Sequence, residues 1–152
     1  VASGHLPRHA PGVYRGGVID ALEYFRTRLA VETDPSDVYA AQKAGERFVL
    51  VDVRGDDAWL QGRVTGALHM PYRVIADRAP REIPLDMPVV VYCWSPGCNA
   101  GQKGALAFAQ LGYEVREMIG GYEYWVREGQ PFENDDGPCD RVFDATVMVV
   151  RR

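Results

Sequence analysis

The stretch Val89-Val90-Val91-Tyr92-Cys93-Trp94-Ser95-Pro96-Gly97-Cys98-Asn99 limits the fold more than any other part of the chain. Four β-forming residues in a row read as a strand with both faces covered. The Pro-Gly pair ends that run. Asn99 with Gln102 three residues on reads as an N-cap and its reciprocal partner, so a helix is expected from Ala100. A strand, a short loop and a helix in that order put Cys93 at the carboxyl end of a strand, with backbone N–H groups of the loop and helix toward its sulfur. Such dipoles lower a thiol pKa and stabilise an anion on or near the sulfur. A small, inert, buried residue is the commoner role of cysteine, but this position favours a nucleophile. No histidine follows in the loop as a partner base, which leaves activation to backbone dipoles with help from Lys103 in the first helical turn.

At 152 residues the chain suffices for one well-buried domain and is too short for two ordinary ones. Seventeen basic against 21 acidic residues give a formal charge of −4, without a basic cluster, which argues against nucleic-acid binding through a broad electrostatic face. No apolar run approaches the length of a bilayer span, and the N-terminus lacks a charged-then-apolar signal pattern; a cytoplasmic protein with no membrane partner is expected. The three cysteines, Cys93, Cys98 and Cys139, are too few and odd in number for a disulfide scaffold and suit a reducing compartment. Cys93 and Cys98 are too far apart for zinc-knuckle spacing, and His5, His9 and His69 do not cluster with them, so no metal site is expected. The C-x4-C pair does suit redox chemistry, because a loop can bring its sulfurs close.

Residues 1–17 carry no periodicity and read as a mobile arm. Ile19, Leu22, Phe25 and Leu29 fall at helical spacing, predicting an amphipathic helix over Val18–Ala30. Pro35-Ser36 offers an N-cap for a short helix over Asp37–Ala44, ended by Gly45. Phe48–Val53 reads as a buried strand, Asp57–Leu60 as one helical turn and Ala67–Met70 as a short extended segment. A polar, Pro-containing stretch, Tyr72–Pro88, leads into the Val89–Tyr92 strand. The helix from Ala100 should reach Leu111, followed by a strand over Tyr113–Met118 and a helix over Tyr122–Glu128 after Gly120-Gly121. This alternation predicts an α/β fold with a parallel sheet and helices on both faces, whose ligand site lies at the carboxyl ends of the strands. Beyond Pro131, a β-rich tail is expected over Val142–Val150.

Two more segments accompany the strand ending in Tyr92-Cys93. One is Asp52-Val53-Arg54 with Trp59, Gly62, Gly66-Ala67, His69 and Pro71. The other is Gly120-Gly121-Tyr122-Glu123-Tyr124-Trp125 with Gly129 and Pro131. In this order and spacing they resemble the rhodanese family of single-domain sulfurtransferases over roughly residues 35–132. Residues 1–34 would then be an N-terminal arm and helical extension, and 133–152 a C-terminal tail. The resemblance implies a five-stranded parallel sheet, a catalytic Cys93 and an anion-cradling loop formed by Trp94, Ser95, Pro96, Gly97, Cys98 and Asn99. It further implies supporting roles for Asp52 and Arg54, whose family counterparts brace the fold through ion pairs. The thiolate would take a sulfane sulfur from thiosulfate or a persulfide and pass it to cyanide, a thiol or a protein acceptor, with no cofactor.

The chain departs from the family pattern in its loop, where Trp94 and Cys98 stand at positions commonly held by Arg or Thr. Arg63 and Ala58 replace a usual His and Glu, and Asp56 or Asp57 is expected to neutralise Arg54. Arg73 and Lys103 are the candidates for positive charge at the site's mouth. One alternative is a sulfur-relay or protein-interaction module with little activity on small donors, a reading that Trp94 at the mouth favours. An oxyanion phosphatase or arsenate reductase ranks below it, because no Arg occurs between Cys93 and Arg116 to grip an oxyanion bidentately.

Overall fold

The fold is built on a five-stranded sheet and is described by a computed structural model for residues 20–148 and residue 150. The arm expected over residues 1–17 and the expected helix start at Val18 lie outside these residues. The first helix, α1 (Ala21–Val31), begins where the Asp20 carboxylate accepts the Leu22 N–H. Helical spacing predicted it, but its apolar positions Leu22, Phe25 and Leu29 stay exposed and it buries no residue. Strand β1 (Glu32–Thr33) follows at once and leads into α2 (Pro35–Ala44). Asp34, not Ser36, caps α2 by accepting the Asp37 N–H, which leaves Pro35 at the first helical turn where its missing N–H costs nothing.

Next come β2 (Val49–Asp52), α3 (Asp56–Gln61), β3 (Arg63–Val64) and β4 (Leu68–His69). The polar stretch before residue 89 holds a 3-10 turn (Tyr72–Val74) and a helix, α4 (Ile75–Glu82), which its charges and internal Pro80 hide from a sequence reading. Ile75, Ala79 and Ile83, four residues apart, supply its buried stripe. Strand β5 (Val89–Tyr92), α5 (Ala100–Gln110), β6 (Val115–Met118) and α6 (Gly121–Arg127) fall where expected, within a few residues at their ends. The main sheet has the order β1-β6-β5-β2-β4 with every pair parallel. Instead of a strand over Val142–Val150, a hairpin of β7 (Phe132–Asn134) and β8 (Gly137–Cys139) pairs antiparallel with β3. Phe132 and Val64 give that hairpin a buried anchor, which the exposed Val142 and Val147 lack. No helix among the described residues is long and apolar enough to cross a membrane.

Strand alternation divides the core. Val51, Val53, Val89 and Val91 point to one face, where Ile75, Ala79, Ile83, Phe108 and Tyr113 cover them. Leu50, Tyr92 and Met118 point to the other, under Val38, Tyr122 and Trp125. Period-2 continuation past Val89 and Val91 gives Cys93 to the first core, while Tyr92 turns to the second.

Under that second face lies a buried polar network. Asp52, aligned with Tyr92 across β2 and β5, accepts from Arg54 Nε at 2.9 and 3.2 Å and from Arg54 Nη2 at 2.6 Å. Asp52 is therefore the counter-ion of Arg54, not Asp56 or Asp57; the sheet holds Asp52 at zero exposure beside the arginine, whereas Asp56 and Asp57 face solvent. The Tyr92 hydroxyl donates to Asp52 at 2.6 Å and accepts the Val64 N–H at 3.1 Å; burial and the Asp52 charge raise its pKa well above that of an ordinary phenol. Arg54 Nη2 also donates to the Gly62 carbonyl, tying β2 to the turn before β3.

Removing one member of a buried ion pair strands the other charge without compensation, at a cost of about 3–5 kcal/mol. Arg54→Ala should lower the free energy of unfolding obtained from urea melts by that much. Arg54→Lys should recover little of it, because an ammonium lacks the fork that reaches both Asp52 and Gly62. A loss near the ordinary surface range, within about 0.5 kcal/mol, would show that the network does not hold the fold together.

Candidate functional site

Cys93 follows the last residue of β5 and is 5% exposed, so its placement comes directly from the run of β-formers before it. The loop after it returns tightly: the Cys98 N–H donates to the Ser95 carbonyl, closing a turn around Pro96 and Gly97. That turn brings Cys98 back over Cys93, their Cα atoms 6.4 Å apart and their sulfurs joined in a disulfide. The pair expected only to approach is thus bonded, and the site stands in its oxidised form. Cys139, half-exposed, carries a free thiol.

Helix α5 starts immediately beyond the loop. Asn99 occupies its N-cap position but makes no side-chain capping bond, so the expected Asn99–Gln102 capping box does not form. Backbone φ −90° and ψ 6° at Asn99 differ from the extended conformation that side-chain capping needs. The first N–H groups of α5 therefore keep their dipoles unanswered by a side-chain cap, next to the cysteine loop.

The base of the loop is held by α6. Tyr122 N–H donates to the Cys93 carbonyl and Glu123 N–H to the Trp94 carbonyl, both at 2.8 Å. Gly121 makes this approach feasible: it has φ +62°, and a Cβ there would lie 2.4 Å from the Cys93 carbonyl oxygen. Trp94 packs edge-on to Tyr122 and lies against the Arg54 guanidinium, whose carbon is 4.5 Å from one ring centroid and 4.3 Å from the other. Arg54 Nη1 has no hydrogen-bond partner, and these two rings take its place through cation–π contact. At the position directly after the cysteine, the chain stacks an indole on a buried cation.

A cavity of about 380 Å³ reaches both cysteines between the loop, α1 and the turn after β6. Its charged lining is Arg28 with Glu32, Asp34, Glu117 and Glu128. Arg28 is committed to Glu32, with Nε 2.9 Å and Nη2 2.9 Å from the same carboxylate oxygen. Glu117 packs over the first turn of α5, its Oε1 2.5 Å from where a Gly101 Cβ would be. Burial and the nearby Glu32 carboxylate raise its pKa, against the pull of Arg28. Arg73 and Lys103 are elsewhere: both flank Tyr72, Arg73 donating to its hydroxyl and Lys103 standing 5.5 Å from its ring, and neither lines this cavity. The Arg73 hydrogen bond holds the Tyr72 phenol below its ordinary pKa.

Sequence reasoning singled out the loop, Asp52 and Arg54, but missed Arg28, Glu32 and Glu117. The signal was topological. Strands β1 and β6 are neighbours in register, Glu32 opposite Glu117, so their carboxyl ends open beside that of β5.

A methyl group at position 121 would be strained by the left-handed backbone, at about 1–3 kcal/mol, as well as blocked by the Cys93 carbonyl. Gly121→Ala should therefore destabilise the protein and raise the alkylation rate of reduced Cys93 as the loop lifts from α6. Unchanged stability with unchanged thiol reactivity would show that the contact does not shape the loop.

With this geometry in view, a model of the rhodanese-like domain matches residues 34–128. Thiosulfate sulfurtransferase GlpE of Pseudomonas fluorescens is 34% identical over 104 residues, covering 68% of this chain and 90% of its own length. A sulfurtransferase of Allochromatium vinosum is 36% identical over 92 residues, 60% of this chain and 84% of the relative. Among solved structures, the BH2092 protein of Bacillus halodurans superimposes with a TM-score of 0.72 at 33% identity, covering 83% of this chain and 93% of that one. The match of family model, relatives and sheet topology places the chain in the rhodanese-like domain family.

Proposed function

We propose that the chain is a sulfurtransferase in which reduced Cys93 takes a sulfane sulfur from a donor, carries it as a persulfide, and yields it to a thiol or to cyanide. The observation carrying this reading is a cysteine at the carboxyl end of the central strand, opening into a cavity beside an uncapped helix N-terminus. The chemistry follows from that placement. A thiolate attacks the outer sulfur of the donor, the donor's remaining group leaves, and the new persulfide anion is held by backbone N–H groups. Splitting the exchange at a covalent intermediate lets donor and acceptor use the same cavity in turn.

The cavity's charge bears on which donor it accepts. Thiosulfate brings two negative charges, and each meets a repulsion of roughly 3 kcal/mol from a like unit charge about 6 Å away at an effective dielectric near 20. Among the described residues four carboxylates line the space, one of them Glu32, which pairs with the only arginine there, Arg28. A persulfide carried on a thiol, with one charge or none at the reacting sulfur, suits this lining better than a dianion. The same reasoning supports sulfur arriving from a partner protein's cysteine persulfide.

Single-turnover loading tests both parts. Reduced protein is mixed with thiosulfate, read as sulfite released, or with a small thiol persulfide, read as thiol released. Wild type should react with both and faster with the persulfide, while Cys93→Ser should release neither, its fold checked by circular dichroism. Release by Cys93→Ser would move the chemistry to another residue. Faster loading from thiosulfate would overturn the donor preference.

A further inference from the structure

We propose that Cys98 resolves the Cys93 persulfide, so that the loop discharges its sulfur as sulfide and itself becomes the disulfide; this rests on the reading that Cys93 takes up sulfur. Three observations converge. The sulfurs of Cys93 and Cys98 are joined with their Cα atoms 6.4 Å apart, so the loop accommodates the product of such a step. Both cysteines line one cavity, and Cys98 is the more exposed of the two. Cys98 is also the last loop residue before Asn99 and the first turn of α5, where helix N–H dipoles favour a thiolate.

The step balances. The Cys98 thiolate attacks the inner sulfur, Sγ of Cys93. The Sγ–Sγ bond forms, the bond from Cys93 Sγ to the sulfane sulfur breaks, and the sulfane sulfur leaves as hydrosulfide with the proton that Cys98 gave up. Counted from before loading, two thiol sulfurs are oxidised to the disulfide level while the sulfane sulfur is reduced by the same two electrons. Return to the dithiol needs an external dithiol reductant, which forms its own disulfide. Over a full cycle the chain turns a persulfide donor and a dithiol into sulfide. Attack from within the same loop has the advantage of proximity over any acceptor in solution. The cost is that a transferable sulfur survives on Cys93 only while an acceptor competes with Cys98.

Anaerobic, fully reduced wild type, Cys98→Ala and Cys93→Ser are each given one equivalent of a small thiol persulfide without added thiol. Free sulfide and intact mass are then measured. Wild type should release one sulfide per chain and lose the mass of two hydrogens. Cys98→Ala should gain the mass of one sulfur and release sulfide only at the Cys93→Ser background. Reduction with dithiothreitol, its removal and a second equivalent of donor should then give a second equivalent of sulfide from wild type. If Cys98→Ala gains sulfur while wild type also keeps it and releases no sulfide, the resolving role is overturned and the sulfurtransferase reading stands. Sulfide release by Cys98→Ala at the wild-type rate overturns it equally. If neither wild type nor Cys98→Ala reacts with the donor, the sulfurtransferase reading fails and the resolving role with it.

Discussion

Asp52 and Arg54 form an ion pair at the carboxyl end of β2 with both side chains essentially out of solvent. Such a pair is stable only when its remaining donors and acceptors are satisfied. The satisfaction here comes from the elements that build the site. Tyr92, the residue before Cys93, donates to Asp52; Gly62 accepts from Arg54; Trp94 and Tyr122 cover the guanidinium face. The residues on either side of the cysteine are thus fixed to one buried charge pair. From below, α6 fixes the Cys93 and Trp94 carbonyls through the N–H groups of Tyr122 and Glu123. Cys93 inherits its position from this frame and joins it only through its backbone, its carbonyl accepting the Tyr122 N–H.

That frame also explains the unusual loop. With Trp94 turned onto Arg54, the positive charge near the cysteine is buried and neutralised by Asp52. The cavity itself is left with carboxylates and an Arg28 already engaged by Glu32. The cavity's other polar side chains among the described residues, Ser95, Gln102 and Tyr124, carry no positive charge. On the proposed reading, the second loop cysteine decides what happens after loading, because its thiol consumes the persulfide.

Much of this was legible before any coordinates. The β5 run, the Pro-Gly break and the helix beyond it located Cys93 because each is a strong local signal confined to a few residues. Arg54 was recognised as a brace, but its partner was sought among the adjacent aspartates after it. Only the pairing of β2 with β5 brings Asp52 and Tyr92 to the same face beneath it. Strand β1 is two residues long, too short for any alternation to register, and α4 disguises its Ile75-Ala79-Ile83 stripe among charges and Pro80. The apolar run over Val142–Val150 looked like a strand, yet pairing went to Phe132–Cys139, where β3 offers an edge. Arg73 and Lys103 had the right sign and the wrong neighbour, Tyr72. The strand pairings among these misses were set by contacts distant in sequence.

The central claim is that sulfur is carried on Cys93. The most direct measurement follows the atom itself. Reduced Cys98→Ala protein, in which the sulfur cannot be lost to the second loop thiol, is loaded from a donor with isotopically labelled sulfane sulfur, blocked with an alkylating reagent and mapped by fragmentation mass spectrometry. The labelled sulfur should be found on Cys93. Label on Cys139, or a protein that leaves the donor intact, would contradict the assignment.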